Sequence, residues 1–275
     1  MPLEMADAKT APPRAQFAPE HLRVSWILTL RWLRELKLAG AVGIGTVLLL
    51  QPMIWLLIFG SLFSFVSGLP GFPTSNYYGF IVPGVIVFTN LGFLAFGGGC
   101  IIHDFESGFL SKMWAAPIGK LPIVTGRTTW AVILSAFQTA VILLVSLALG
   151  VSFSGGLGGV VMIFVLSEML VAGLTALSLT VAFFLKYEFA FQSVTTFLIT
   201  PLIFLSTALL PLALMPWWMR PIAAVNPVTP TVDAIRDLVS VGFSWGIIAG
   251  ALGLLAAFDV LMFAIAALAF RRKVS

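Results

Sequence analysis

Long stretches with almost no charge alternate along this chain with short polar connectors. Six stretches are apolar on every side, approximately Val42 to Val66, Phe80 to Ile102, Thr128 to Leu149, Val160 to Leu185, Ser193 to Leu214 and Trp245 to Phe270. A helix crossing the hydrocarbon core of a bilayer needs roughly 20 apolar residues, since about 30 Å is covered at about 1.5 Å each. All six meet that length, and none alternates with the period of two that a barrel strand requires. The pattern predicts an all-α polytopic membrane protein with six transmembrane helices.

The remaining segments have patterns of their own. Residues 1–19 are rich in Ala and Pro and are expected to form a disordered tail. Residues 20–41 read as an amphipathic helix, with Leu22, Trp26, Leu33 and Leu36 on one side and Arg23, Arg31, Arg34 and Glu35 largely opposite. A basic helix carrying Trp just before a first span is expected to lie in the membrane interface, where Trp26, Arg31 and Arg34 would meet the headgroups. Residues 42–275 hold the six spans. Within them Pro52, Pro83 and Pro201 are helix breakers that neighbouring helices can accommodate. Gly246 and Gly250 form a GxxxG that permits close helix approach. Before the last span, residues 210–244 carry prolines and paired tryptophans suited to the headgroup level. They are expected to form a re-entrant helical hairpin, with Thr231 capping the short helix VDAIRDLV.

Composition excludes a soluble domain. Hydrophobic residues make up 60% of the 275 residues, charged residues only 9%, and mean hydropathy is +1.07, against about 45–50% apolar and about 25% charged in soluble domains. The charges that remain set orientation. Lys9, Arg14, Arg23, Arg31, Arg34 and Lys37, then Lys112, Lys120 and Arg127, then Lys186, then Arg271, Arg272 and Lys273 all fall on one side, against only Arg220 and Arg236 on the other. The positive-inside rule puts both termini in the cytoplasm. The basic pI therefore reports topology and contact with anionic lipid rather than nucleic-acid binding. No cleavable signal is expected in the first forty residues, which lack a short apolar core ahead of a small-residue cleavage site.

Catalytic chemistry is not legible. There is no phosphate-binding GxxxxGK[ST] loop and no HExxH, and His21 and His103 are far apart. The single Cys100 excludes an internal disulfide and a cysteine-cluster metal site, and reads as a small packing residue. Two acids fall inside spans, Glu168 and Asp259. A charge at mid-bilayer costs on the order of 3 kcal/mol, so each should face protein or a water-filled cavity. One reading makes them part of a translocation path or an ion-coupled transporter; the other makes them packing elements. Phe59 and Phe63 are further candidates for a path wall.

The stretch HDFESGFLSKMWAAPIGK, residues 103–120, is the most polar connector and falls on the cytoplasmic side. A helix through it would place Phe105, Phe109 and Met113 on one ridge beside Glu106 and Lys112. Such a ridge suits insertion into a partner's groove.

Two stretches carry a family resemblance. LPLALMPWWMRPIAAVNPVTPTVDAIR, with Pro211, Met215, Pro216, Trp217, Trp218, Asn226, Pro227 and Arg236, resembles the segment before the last span of type-2 ABC export permeases. DFESGFLSKMWAAPIGKLPIVTGR, with Glu106, Gly108, Pro117, Gly126 and Arg127, resembles their first cytoplasmic loop, although Phe105 and Ser107 flank Glu106 where that family is often more basic. The nearest group is the daunorubicin-resistance type. The resemblance implies a multi-pass permease of the plasma (inner) membrane. It would pair with a second permease copy and with two copies of an ABC ATPase subunit, to export drugs, polyketides, lipids or glycan precursors. ATP and Mg would sit on the ATPase, and this chain would bind no cofactor. Asp104, Phe105, Glu106, Gly108, Phe109, Lys112, Met113 and Pro117 would form the coupling helix seated in the ATPase.

Overall fold

A computed structural model describes residues 18–38, 46–65, 77–109, 121–185, 187–208 and 212–272. Among them the chain is all helical: α1 (Ala18–Leu38), a π turn (Thr46–Leu50) leading into α2 (Gln51–Leu62), α3 (Tyr77–Glu106), α4 (Leu121–Ala148), α5 (Gly156–Leu185), α6 (Glu188–Phe204), α7 (Met219–Val225), α8 (Val228–Ser240) and α9 (Trp245–Arg272). Four of these, α3, α4, α5 and α9, are long and apolar enough to cross a membrane, while α2 and α6 are shorter apolar helices.

The helices overrun the apolar runs at several ends, because a helix continues while its backbone is satisfied, whether or not its side chains are apolar. α4 begins at Leu121 rather than Thr128, with Pro122 in the first turn, where a missing N–H costs nothing. Two ends fall short: α2 stops at Leu62 before Val66, and α6 ends at Phe204 instead of reaching Leu214, three residues after Pro201, where Leu205 N–H closes the end on the Pro201 carbonyl.

α3 is the centre of the bundle, packed against α2, α4, α5, α6 and α8, while α9 lies mainly on α5. Small residues permit these approaches, as expected where lipid offers no hydrophobic contrast. Gly97 of α3 faces Thr175 and Ser178 of α5, and Gly98 faces the Phe191 ring of α6 and the Ser178 carbonyl. Ser178 also donates to the Leu94 carbonyl and accepts from the Gly98 N–H. The GxxxG of α9 does something else. A side chain at Gly246 or Gly250 would meet nothing within 4 Å, so these glycines mediate no helix contact among the described residues of this chain.

The bundle has two distinct ends. At one, α1 packs on the start of α4 beside the end of α3. At the other, α4 closes through a left-handed Gly150, with Val151 N–H on the Ser146 carbonyl. The connector beyond it bonds to α8, with Ser154 and Gly155 N–H on the Val239 and Leu238 carbonyls.

Candidate functional site

The densest polar cluster joins α1, the end of α3 and the start of α4. Asp104 Oδ2 accepts from Arg127 Nη2 at 2.9 Å and from Trp32 Nε1 at 3.1 Å. Asp104 and Arg127 are 5% and 2% exposed, so this is a buried ion pair. The Arg127 guanidinium also lies over the Trp32 ring at 3.9 Å and over Trp130 at 5.1 Å. A planar cation can stack and pair simultaneously, which lysine cannot do.

α1 is held on this node by a close backbone approach. A Cβ at Gly126 would fall 2.8 Å from the Ser25 carbonyl oxygen, so only glycine lets the helices meet there. Thr29 Oγ1 donates to the Gly126 carbonyl at 2.9 Å, and the Ser25 and Thr125 hydroxyls are 2.7 Å apart. The packed face of α1 is thus Ser25, Leu28, Thr29 and Trp32, while Leu22, Trp26 and Ile27 are exposed. The hydroxyl-bearing face docks on the bundle because Ser25 and Thr29 bond to α1 and α4 backbone, which leaves the Leu22 and Trp26 side uncovered. Trp26 and Arg34 are exposed, as an interfacial helix requires.

The expected helix through 103–120 is interrupted. α3 ends at Glu106, Ser107 N–H bonds to the His103 carbonyl, and Gly108 turns the chain with a φ of 69°. Lys112, Met113 and Pro117 lie outside the described residues. Asp104 does not belong to a partner-facing surface, because Arg127 and Trp32 hold it inside the bundle. Phe105 and Phe109 are only partly exposed and pack on the cluster containing Leu28 and Trp32. Arg31 sits 3.1 Å above the Phe109 ring while its Nε donates to Glu35 Oε1 at 2.8 Å. Glu106 and Ser107 are exposed.

Beside the junction lies a cavity of about 670 Å³ between α1, α3, α4 and α6. Its wall includes the aromatic pair Phe96 and Trp130, stacked at 5.6 Å, together with Cys100, His103, Glu188 and Gln192. A smaller apolar cavity of about 130 Å³ lies towards the opposite end, between α2, α3 and α6. Phe59 lines it, stacked on Trp55 at 4.6 Å, and Phe63 continues the stack outside the cavity at 5.6 Å.

The hairpin residues form a second node at that opposite end. Asn226 Nδ2 donates to the Leu202 and Leu205 carbonyls at 2.8 and 2.9 Å, groups that the end of α6 leaves without helical partners. Its Oδ1 accepts from Val228 N–H, so Asn226, not Thr231, caps α8. Thr231 instead bonds back to the Pro227 carbonyl. Arg236 pairs with Asp233 at 3.1 Å, donates to the Thr207 carbonyl at 2.9 Å and stacks over Phe80 at 4.3 Å. Pro216 and Trp217 are exposed.

Glu168 and Asp259 do not meet. Ser135 donates to Glu168 Oε1 at 3.1 Å and to Asn90 Oδ1 at 3.2 Å, tying α3, α4 and α5. Asp259 of α9 lies against Gly173 of α5 instead. Five residues separate positions 168 and 173, which turns them about 140° apart around the helix.

Sequence reading saw Asp104 and Arg127 separately and missed their pairing, along with Trp32. An arginine in the second turn of an apolar helix is the one signal that could have prompted a search for a buried acid.

The family described as ABC-2 type transporter matches residues 27–240. A transport permease ycf38 of Cyanophora paradoxa is 34% identical over 198 residues, covering 70% of this chain and 66% of that protein. The Escherichia coli K12 multidrug ABC transporter permease YbhR is 25% identical over 204 residues, covering 74% and 55%. The daunorubicin resistance ABC transporter permease protein DrrB1 of Streptomyces coeruleorubidus is 26% identical over 197 residues, covering 70% and 67%. The matched stretch therefore falls just short of two thirds of the ycf38 protein.

Proposed function

Because this chain belongs to the ABC-2 type transporter family, we propose that it is the membrane subunit of an ABC exporter moving an amphipathic or apolar substrate out of the cytoplasm. In this reading α2, α3, α4, α5, α6 and α9 are the six spans of a permease domain over residues 42–275. The α1 end faces the cytoplasm, with both termini, and the α8 end faces outward across the plasma membrane. A second permease copy completes the path, and a separate ABC ATPase holds ATP and Mg.

One observation carries the coupling argument: the buried Asp104–Arg127 pair, with Trp32 on the same carboxylate. Asp104 lies near the start of residues 103–120, the connector expected to seat in the ATPase, and Arg127 lies two turns into the helix that follows it. With both flanks and α1 fixed to one carboxylate, displacement of the connector moves α1, α3 and α4 together. Removing one partner of a buried ion pair costs about 3–5 kcal/mol, enough to keep the junction stiff during a power stroke. Exposed Glu106 and residues 110–120 supply the contact with the ATPase, and α1 lies in the interface through Trp26 and Arg34.

Tagged protein isolated from native membranes tests this reading. A co-purifying ATPase subunit and nucleotide-dependent transport are expected. Transport by the chain alone, driven by a pH gradient and abolished by Asp259→Asn, would overturn it.

A further inference from the structure

Three polar side chains meet halfway along three spans. Asn90 lies at the middle of α3, Ser135 at the middle of α4 and Glu168 near the middle of α5. Ser135 Oγ is 3.2 Å from Asn90 Oδ1 and 3.1 Å from Glu168 Oε1, and both of these are acceptor oxygens. A hydroxyl has one hydrogen to give. It satisfies one of the two contacts and leaves the other short of a proton. Asn90 and Ser135 are fully buried, so bulk water does not supply it. Asn90 Nδ2 and Glu168 Oε2 are buried as well, with no hydrogen-bond partner among the described residues.

Two arrangements provide the missing hydrogen. Turning the Asn90 amide around aims its NH2 at Ser135, and leaves Glu168 an anion with a single hydrogen bond. A charge at mid-bilayer costs on the order of 3 kcal/mol, and no cation is placed to offset it. Glu168 is the only charged residue of α5, and Arg127 is the only one of α4. Arg127 lies eight residues before Ser135, about 12 Å along the helix, and is held by Asp104. Of the other helices packed on α5, α3 has His103 in its last turn, α8 has Arg236 bound to Asp233, and α9 has Arg271 and Arg272 at its end. The alternative keeps the proton on the carboxyl group, which removes the charge altogether.

We propose that Glu168 is a proton-binding site: the resting acid is neutral, its O–H donates to Ser135 Oγ, and Ser135 gives its one hydrogen to Asn90 Oδ1. Each contact then carries one hydrogen, and three spans are tied at mid-membrane without a charge. The proton is held rather than passed on, because Asp259, the other acid inside a span, lies against Gly173 instead. The assignment goes beyond the export reading and stands whether or not an ATPase co-purifies. It also makes Glu168 a site of modification from the lipid. Val161 and Val165, seven and three residues earlier on the same side of α5, are exposed. An apolar carbodiimide dissolved in the bilayer would add there, its central carbon bonding to the carboxyl oxygen and its nitrogen taking the acid's own proton.

Infrared difference spectroscopy of the full-length protein in lipid tests the site. Wild type minus Glu168→Gln should show the loss of one protonated-carboxyl C=O band and no loss of carboxylate bands. Asp259→Asn locates any band from the second acid. Ser135→Ala should shift the Glu168 band without abolishing it, since the acid loses its acceptor but not its burial. Loss of a carboxylate band in Glu168→Gln would place a negative charge at this position, turn the Asn90 amide around and overturn the proposal. A Glu168 band that Ser135→Ala leaves unmoved would overturn the chain to Asn90. Wild-type protein carries a second measurement that no variant's folding can disturb. Dicyclohexylcarbodiimide should form an adduct that peptide mapping places on Glu168, while a water-soluble cationic carbodiimide should not. No adduct at Glu168, or equal modification by both reagents, would refute a dry, protonated acid.

Discussion

Arg127 reaches across from the second turn of α4 to place its Nη2 2.9 Å from Asp104 Oδ2 near the end of α3, in a setting almost closed to solvent. Removing either partner strands the other. Arg127→Ala or Asp104→Ala should destabilise the protein by about 3–5 kcal/mol, read as a lowered thermal midpoint in detergent. The double replacement Asp104→Leu/Arg127→Met should recover much of that stability, because a well-packed apolar pair avoids the desolvation of two charges. If the ion pair also transmits force, the double variant will be stable yet uncoupled, with basal ATPase activity and little transport.

Gly126 is the contact that lets α1 dock. Gly126→Ala would place a methyl group 2.8 Å from the Ser25 carbonyl oxygen, and relieving such overpacking costs typically about 1–3 kcal/mol. The expected sign is release of α1, detected as faster amide exchange over residues 18–38 with α3 and α5 unchanged. Unaltered protection of α1 would contradict the docking described here.

Asn226 ends two helices at once, capping α8 while covering the last carbonyls of α6. Asn226→Ala leaves these groups unpaired at about 1–3 kcal/mol for each that stays buried. Asn226→Asp keeps the acceptor for Val228 N–H but loses both donors, so it should recover only part of the loss. A ranking of thermal midpoints with wild type first, Asp second and Ala last checks this.

Glu168 and Asp259 sit in separate places, one on Ser135 and the other against Gly173. Glu168→Gln keeps an acceptor for Ser135 and should leave nucleotide-dependent transport within about twofold of wild type, a change of under 1 kcal/mol. Gly173→Val, which drives a side chain into Asp259 and the Phe258 ring, should lower stability far more than Asp259→Asn. Transport and melting measurements on the three variants decide between the packing and ion-coupling roles.

Much of the fold is legible in the residue pattern. The apolar runs locate every long helix, Pro201 marks the place where α6 gives out, and the Asn-Pro before the last span marks the hairpin that Asn226 in fact organises. The stretch at 103–120 was legible as a polar connector but not as a broken one, because Gly108 adopts its left-handed conformation only where the chain turns away from α3. On α1 the pattern identified an amphipathic helix but not the face that docks on the bundle, since Ser25 and Thr29 count as polar until their backbone partners are known.

By itself the sequence determined that the chain lives in a membrane, how many apolar runs it offers, and which residues share a turn of helix. Those properties are local, fixed by side-chain transfer energies and by the 3.6-residue period. Only the tertiary structure decided which faces are covered. In lipid, a leucine facing a neighbouring helix and a leucine facing the hydrocarbon are equally satisfied, so apolarity carries no inside or outside signal. The partners of Asp104 and the docking of α1 on Gly126 therefore depend on contacts between distant parts of the chain, which the periodicity of any one helix does not specify.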